Sequence, residues 1–178
     1  MPFWNTTALD PKREFKFKVT FSRLGADATF LAQTADRPVW TVSGETKVDF
    51  LDKSFNFPGK VKWNDVKIKF VDAATGGGGV NVARSSYNYL ADSGWVIPDG
   101  VVNGNTQNLA TIGKSAATAQ AGVVTVQTLD SSGTAIDVWV LKNAFVTTVA
   151  LNPLNYGGEA ILTAEYTFKY DWAEYSGR

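Results

Sequence analysis

From Leu162 to Trp172 the chain alternates without a break. Leu162, Ala164, Tyr166, Phe168, Tyr170 and Trp172 fall on one side, and Thr163, Glu165, Thr167, Lys169 and Asp171 on the other. Wound into a helix, this row would scatter around the circumference; as a strand it makes one apolar and one wet face. One such strand buries nothing by itself, so the apolar row requires a second layer over it. The N-terminal run "REFKFKVTFSRL" has the same character, with Phe15, Phe17, Val19 and Phe21 against Glu14, Lys16, Lys18 and Thr20. Two-faced strands near both ends set a mainly β class.

The rest of the chain fits that class. In "KVKWNDVKIKFVD", Val61 and Trp63 share one parity and Val66, Ile68 and Phe70 the other. The slip at Asn64-Asp65 predicts a bulge or bend. "RPVWTVSGETKVDFLDKSFNFPG" reads as a long hairpin with Ser43-Gly44 at its tip and Pro58-Gly59 at its end. Its alternation is loose and is interrupted by Glu45, Lys47, Asp49, Asp52 and Lys53. A hairpin that cannot bury itself cleanly is expected to pack on another chain. A helix is predicted over 82–93, with Asn81 as N-cap and Gly94 as stop. Four strands are predicted after Ala121, with turns at Asp130–Gly133, Lys142-Asn143 and Asn152–Gly158. The expected architecture is a β-sandwich or partly closed barrel of about seven to eight strands with one flanking α-helix. It forms one domain over 1–178, with an N-terminal arm at 1–12, a long hairpin at 36–58 and a variable excursion at 99–121.

Composition narrows the chemistry. The 178 residues hold no His and no Cys. This excludes Ser-His and Cys-His nucleophilic centres, zinc fingers and disulfide frameworks, and leaves all-oxygen sites for any metal. Seventeen basic residues balance seventeen acidic ones, which argues against a protein that grips nucleic acid electrostatically. The start, "MPFWNTTALDPKREFKF", has no basic segment leading into an apolar core, so no signal peptide is expected. No apolar run approaches a membrane span.

Three patterns invite a catalytic or ligand-binding reading. "NLATIGKS" (Asn108–Ser115) ends like a phosphate-binding loop, but Asn108 stands where the pattern needs Gly, so a surface loop is the better reading. The glycines Gly76–Gly79 could cradle phosphate but read as a flexible connection. Glu159 with Glu165, or Asp65 with Asp72, could be offered as glycosidase pairs. Such pairs are defined by distance in space, and the strands' solvated faces account for them. Trp40, Trp63, Trp95, Trp139 and Trp172 lie in or beside apolar runs, which leaves a carbohydrate-binding sandwich as the alternative of another class.

Three blocks together resemble the tail tube proteins of contractile-tailed bacteriophages. They are "REFKFKVTFS" after an aromatic N-terminal arm, the block Gln33–Asp72 running into "FNFPGKVKWNDVKIKFVD", and the closing "LNPLNYGGEAILTAEYTFKYDW". The middle, Ala73 to Ala121, departs from the family pattern. The resemblance implies a structural virion protein, not an enzyme, with no cofactor. It implies hexameric rings stacked into the inner tube of a phage tail, assembled in the host bacterial cytoplasm. DNA would pass through the lumen without specific binding. The implied partners are further copies of the chain, the tail sheath protein, and baseplate and tail terminator proteins. Tube proteins of type VI secretion and of related contractile injection systems share the fold, and that role is the nearer alternative.

Two expectations about surfaces follow. The outward rows of the first and last strands, Lys16, Lys18, Glu165 and Lys169, are expected to face the lumen, where mixed charge suits a low-friction wall. The hairpin, through Val39, Trp40, Val42, Val48, Phe50 and Leu51, is expected to mediate stacking between rings, because a monomer would leave that apolar surface in water.

Overall fold

A computed structural model describes residues 11–25, 28–73, 80–96 and 110–177. The expected arm at Phe3 and Trp4, the glycines 76–79 and most of the excursion before Ala110 lie outside these residues.

The described chain is mainly β. One sheet has the strand order β1-β8-β9-β12, from β1 (Phe17–Phe21), β8 (Val124–Leu129), β9 (Ala135–Lys142) and β12 (Trp172–Gly177). The other runs β10-β11-β7-β2, from β10 (Phe145–Leu151), β11 (Thr163–Lys169), β7 (Val66–Val71) and β2 (Ala32–Ala35). Every pairing is antiparallel. The alternating rows meet between the sheets: Val19 and Phe21 from β1, Val124 and Val126 from β8, Val66, Ile68 and Phe70 from β7, and Ala164, Tyr166 and Phe168 from β11 are all buried. Phe21 sits at the centre, with ring centroids 5.0 Å from Phe168, 5.6 Å from Tyr166 and 6.2 Å from Phe70. The contacts with Phe168 and Tyr166 are edge-to-face and that with Phe70 is stacked, and aromatic pairs of both kinds add to simple area burial.

The two sheets are joined at one corner by strands that pass from one to the other. β9 runs through Asn143-Ala144 into β10, while β11 runs through Tyr170-Asp171 into β12. The pairs Phe145–Lys169 and Trp172–Lys142 keep the two bent strands side by side across the corner. Asn143 takes φ +53°, a left-handed conformation that Asn tolerates. Its Nδ2 donates to the Asp171 carboxylate at 2.7 Å, and the Lys114 ammonium meets both carboxylate oxygens at 2.8 Å. Lys114 first, then Asn143, holds Asp171 below the usual carboxylate range. Burial pushes the neighbouring Tyr170 up to about 12, with the Asp65 charge adding to it.

Two helices complete the core, α2 (Val82–Asp92) and α3 (Lys114–Ala121), besides a single turn α1 (Ala28–Leu31) between β1 and β2. Asn81 caps α2 as expected, its Oδ1 accepting from Arg84 N at 2.7 Å. Two tyrosines fix the helix. Tyr166 O–H donates to Val82 O and lies 2.5 Å from Ser86 Oγ. Tyr89 O–H donates to Ala117 O and accepts from Val146 N.

The mainly β sandwich class stands, and two details of the expectation change. Among the described residues there are twelve strands rather than seven or eight, because several long apolar runs are cut by the corner and by the ribbon described below. The excursion 99–121 ends in a helix, α3, so one flanking helix becomes two.

Candidate functional site

The surface that stands out is the ribbon between β2 and β7. β3 (Trp40–Ser43) pairs with β6 (Lys60–Trp63), and β4 (Thr46–Phe50) with β5 (Lys53–Phe57). The register carries across the intervening break unchanged, with Val42 opposite Val61 and Thr46 opposite Phe57, so Gly44 falls opposite Gly59. A Cβ on Gly59 would lie 2.0 Å from Ser43 O, and Gly44 takes φ +77°. The two glycines therefore permit a close backbone crossing inside one long hairpin.

The turn is Leu51-Asp52, with Leu51 at φ +54°. The expected tip at Ser43-Gly44 is wrong: that glycine lies in the break between β3 and β4, partway along the hairpin and opposite another glycine. With the tip moved, the loose alternation becomes regular. Trp40, Trp63, Val42, Val61, Val48, Phe55, Phe50 and Phe57 share one face by strand parity, with Thr46 opposite Phe57 and Lys53 opposite Phe50 on the same face. Thr41, Lys62, Ser43, Lys60, Lys47, Asn56, Asp49 and Ser54 share the other, where Lys47 pairs with Asp49 at 3.5 Å. Of the residues expected to form the interface, Val39, Trp40, Val42, Val48, Phe50 and Leu51 are all exposed. Phe55, Phe57 and Val61 on the return strand are exposed as well. They were missed because the misplaced tip put them out of register.

A second apolar surface lies on the connection from β10 to β11. Leu151, Leu154, Tyr156, Ile161 and Leu162 are exposed there. Leu154, Tyr156 and Leu162 among them line a cleft of about 630 Å³ between Asn152 and Leu162, and Leu151 and Ile161 adjoin those lining residues in sequence. Asn155 shapes the turn, its Oδ1 accepting from Gly157 N at 3.0 Å.

The residues expected to face the lumen separate into two pairs. Glu165 and Lys169 lie on the outward row of β11, where Lys67 reaches Glu165 at 3.2 Å. Lys18 lies on the outward row of β1, in the other sheet, just after Lys16. Among the described residues, the outermost strands are β1 and β12 in one sandwich sheet and β2 and β10 in the other. A groove of about 980 Å³ runs between the β1 and β2 edges, bordered by Lys12, Arg13, Glu14, Asp36 and Arg37. Near it, the buried Asp137 carboxylate accepts from Lys12 and from the Tyr175 hydroxyl, which together hold it below its usual range.

The other candidate sites serve the fold. Lys114 opens α3 after Gly113, so a short helix does follow the phosphate-loop-like run, but its ammonium is engaged by Asp171. Asp72 Oδ1 accepts from Val82 N at the start of α2. Glu165 belongs to a lysine pair. Among the described residues no three acidic side chains gather to hold a metal ion. No described helix is long and apolar enough to cross a membrane.

No family model and no curated protein matches the chain. Solved structures do. A chain in the six-fold symmetrised baseplate of the anti-feeding prophage superposes with a TM-score of 0.63 at 11% identity, covering 95% of this chain and 97% of that one. The present chain has the fold of that baseplate component. A chain from the extended-state sheath and tube terminator of the extracellular contractile injection system PVC gives 0.65 at 13% identity, covering 95% and 99%. A chain from the tube-terminating cap of the anti-feeding prophage gives 0.64 at 15%, covering 98% and 99%. The fold implied by the sequence resemblance is the fold observed, over nearly the full length of both chains.

Proposed function

We propose that this chain is the repeating structural unit of the inner tube of a contractile particle, forming rings that stack along an axis. The observation that carries the reading is the ribbon: a long hairpin with a mostly apolar face whose Trp40, Val42, Val48, Phe50, Phe55, Phe57 and Val61 are exposed in the monomer. The match in fold to chains of baseplate, terminator and cap assemblies supports it. In this reading the ribbon joins one ring to the next, through Val39, Trp40, Val42, Val48, Phe50 and Leu51 together with Phe55, Phe57 and Val61. The free edges of both sheets supply the side-to-side contacts that close a ring.

The wall of the bore is assigned to the outward face of β7 and β11, where Lys67, Glu165, Thr167 and Lys169 make a polar surface of mixed charge. Lys16 and Lys18 join that wall only if the β1 sheet also borders the bore, which a cross-section of the assembled tube decides. The particle is either an injection system of the kind named in the matched structures or a phage tail that delivers DNA.

Negative-stain microscopy of the concentrated protein tests the reading. Rings or tubes are expected. A chain that stays monomeric and is retarded in a polysaccharide gel would instead support the carbohydrate-binding alternative.

A further inference from the structure

Resting on the stacking role just proposed, we infer that the ribbon's acceptor is the apolar cleft at Leu151–Leu162 of the next copy of the same chain. The first argument is placement. The ribbon leaves the β7 sheet at the end where Val66 pairs with Phe168, and it is continuous with β2 through Asp36 N donating to Lys67 O. The cleft lies at the opposite end, where Thr163 pairs with Val71 and Leu151 with Ala164. Donor and acceptor at opposite ends of one sheet make a head-to-tail contact, which propagates along an axis rather than closing as a two-fold dimer.

The second argument is area. Trp40, Phe50, Phe55 and Phe57 each keep between 51% and 67% of their surface exposed. At about 200 Å² per aromatic side chain these four rings alone offer about 450 Å². Val42, Val48, Val61 and Leu51 raise the ribbon to on the order of 800 Å², the share each partner contributes to a stable specific interface. On the acceptor side, the cleft-lining Leu154, Tyr156 and Leu162 and their sequence neighbours Leu151 and Ile161 range from 41% exposed to fully exposed. Five large side chains so placed offer a surface of the same order. The cleft is concave and the ribbon is a narrow blade with one apolar side, so the shapes complement each other. Neither surface has another apolar cover within the described chain.

The absence of cysteine makes the test direct. The full-length protein would carry Leu154→Cys combined in turn with Val48→Cys, Phe50→Cys, Phe55→Cys or Phe57→Cys, and would be oxidised with copper–phenanthroline. At least one pair should give a ladder of multiples on a non-reducing gel, with each single variant remaining a monomer. Asp49→Cys, on the polar ribbon face, combined with Leu154→Cys should give no ladder. Dimers from Leu154→Cys alone, an equal ladder from Asp49→Cys, or no ladder from any pair would each overturn the inference. A tube seen by microscopy with no ladder refutes the acceptor but leaves the tube role intact. A ladder without rings or tubes keeps the acceptor and removes the tube.

Discussion

β7 and the ribbon follow the same rule and meet opposite fates. In "VKIKFV" the apolar residues Val66, Ile68 and Phe70 alternate with lysines and are fully buried. In "TKVDF" and "KSFNF" the alternation is as regular, yet all ten residues are exposed. The difference is what stands opposite. β7 faces Phe21 and the β1 sheet across the sandwich, whereas the ribbon packs on the body only at its base, where Trp63 meets Tyr170, and β4 and β5 are left exposed among the described residues. Period two makes a strand two-faced but does not say whether the covering layer is intramolecular. A regular apolar row with no internal cover is therefore a statement about assembly.

The sharpest way to break that comparison is to truncate one aromatic in each region. Phe168→Ala, in the closed core, should destabilise the monomer by about 3–5 kcal/mol in urea titration. Phe55→Ala should change monomer stability by less than about 0.5 kcal/mol, as exposed positions do. Equal losses would mean that the ribbon is part of the monomer's core after all. The second test reverses the readout. Val48→Asp with Phe50→Asp should leave the melting curve unchanged and abolish rings or tubes in negative stain, while wild-type assembly by this variant would remove the ribbon from the interface.

A smaller effect sharpens the account of the core. Tyr89→Phe removes the donor to Ala117 O and the acceptor for Val146 N. It should cost about 1–3 kcal/mol by leaving buried polar groups unpaired, measured by denaturant unfolding. The smallest concerns the corner. Lys114 and Asn143 hold Asp171 low, so the unfolded chain takes up a proton at a higher pH than the folded one. The stabilisation is complete above the unfolded value of about 3.9 and is lost as pH falls through the folded value. Asp171→Asn should cost no more than about 1 kcal/mol at pH 7, as exposed pairs do. Its deficit should shrink to nothing in acid; a deficit that is constant with pH would mean that geometry, not charge, holds the corner.

Much of the core could be read from the chain. The inward rows of β1, β7 and β11, the slip at Asn64-Asp65 and the Asn81 cap all follow from spacing and local hydrogen-bonding chemistry. The first and last members of two rows did not hold, since Phe15 precedes β1 and Trp172 follows the corner, and both are exposed. The ribbon tip was illegible because Leu51-Asp52 carries no turn signature, whereas Ser43-Gly44 carries one and sits at the break between β3 and β4. α3 was hidden because "KSAATAQA" is small and polar, with two alanines buried and no wide apolar face. As for the proposed site, the sequence pointed to the outgoing strand of the ribbon but not the return strand, whose contribution depends on register. The cleft at Leu151–Leu162 read only as a turn.

The pairing of β1 with β8 has a kinetic consequence. Phe17 must find Thr128, so the sheet closes only after most of the chain has been made. β4 and β5 are joined by a two-residue turn and can pair as soon as they emerge. Local contacts form early and distant ones late. The apolar face of the ribbon is thus exposed before the body that carries it is complete, and if it is the stacking surface proposed above, premature contacts between nascent chains would be favoured by high local concentration.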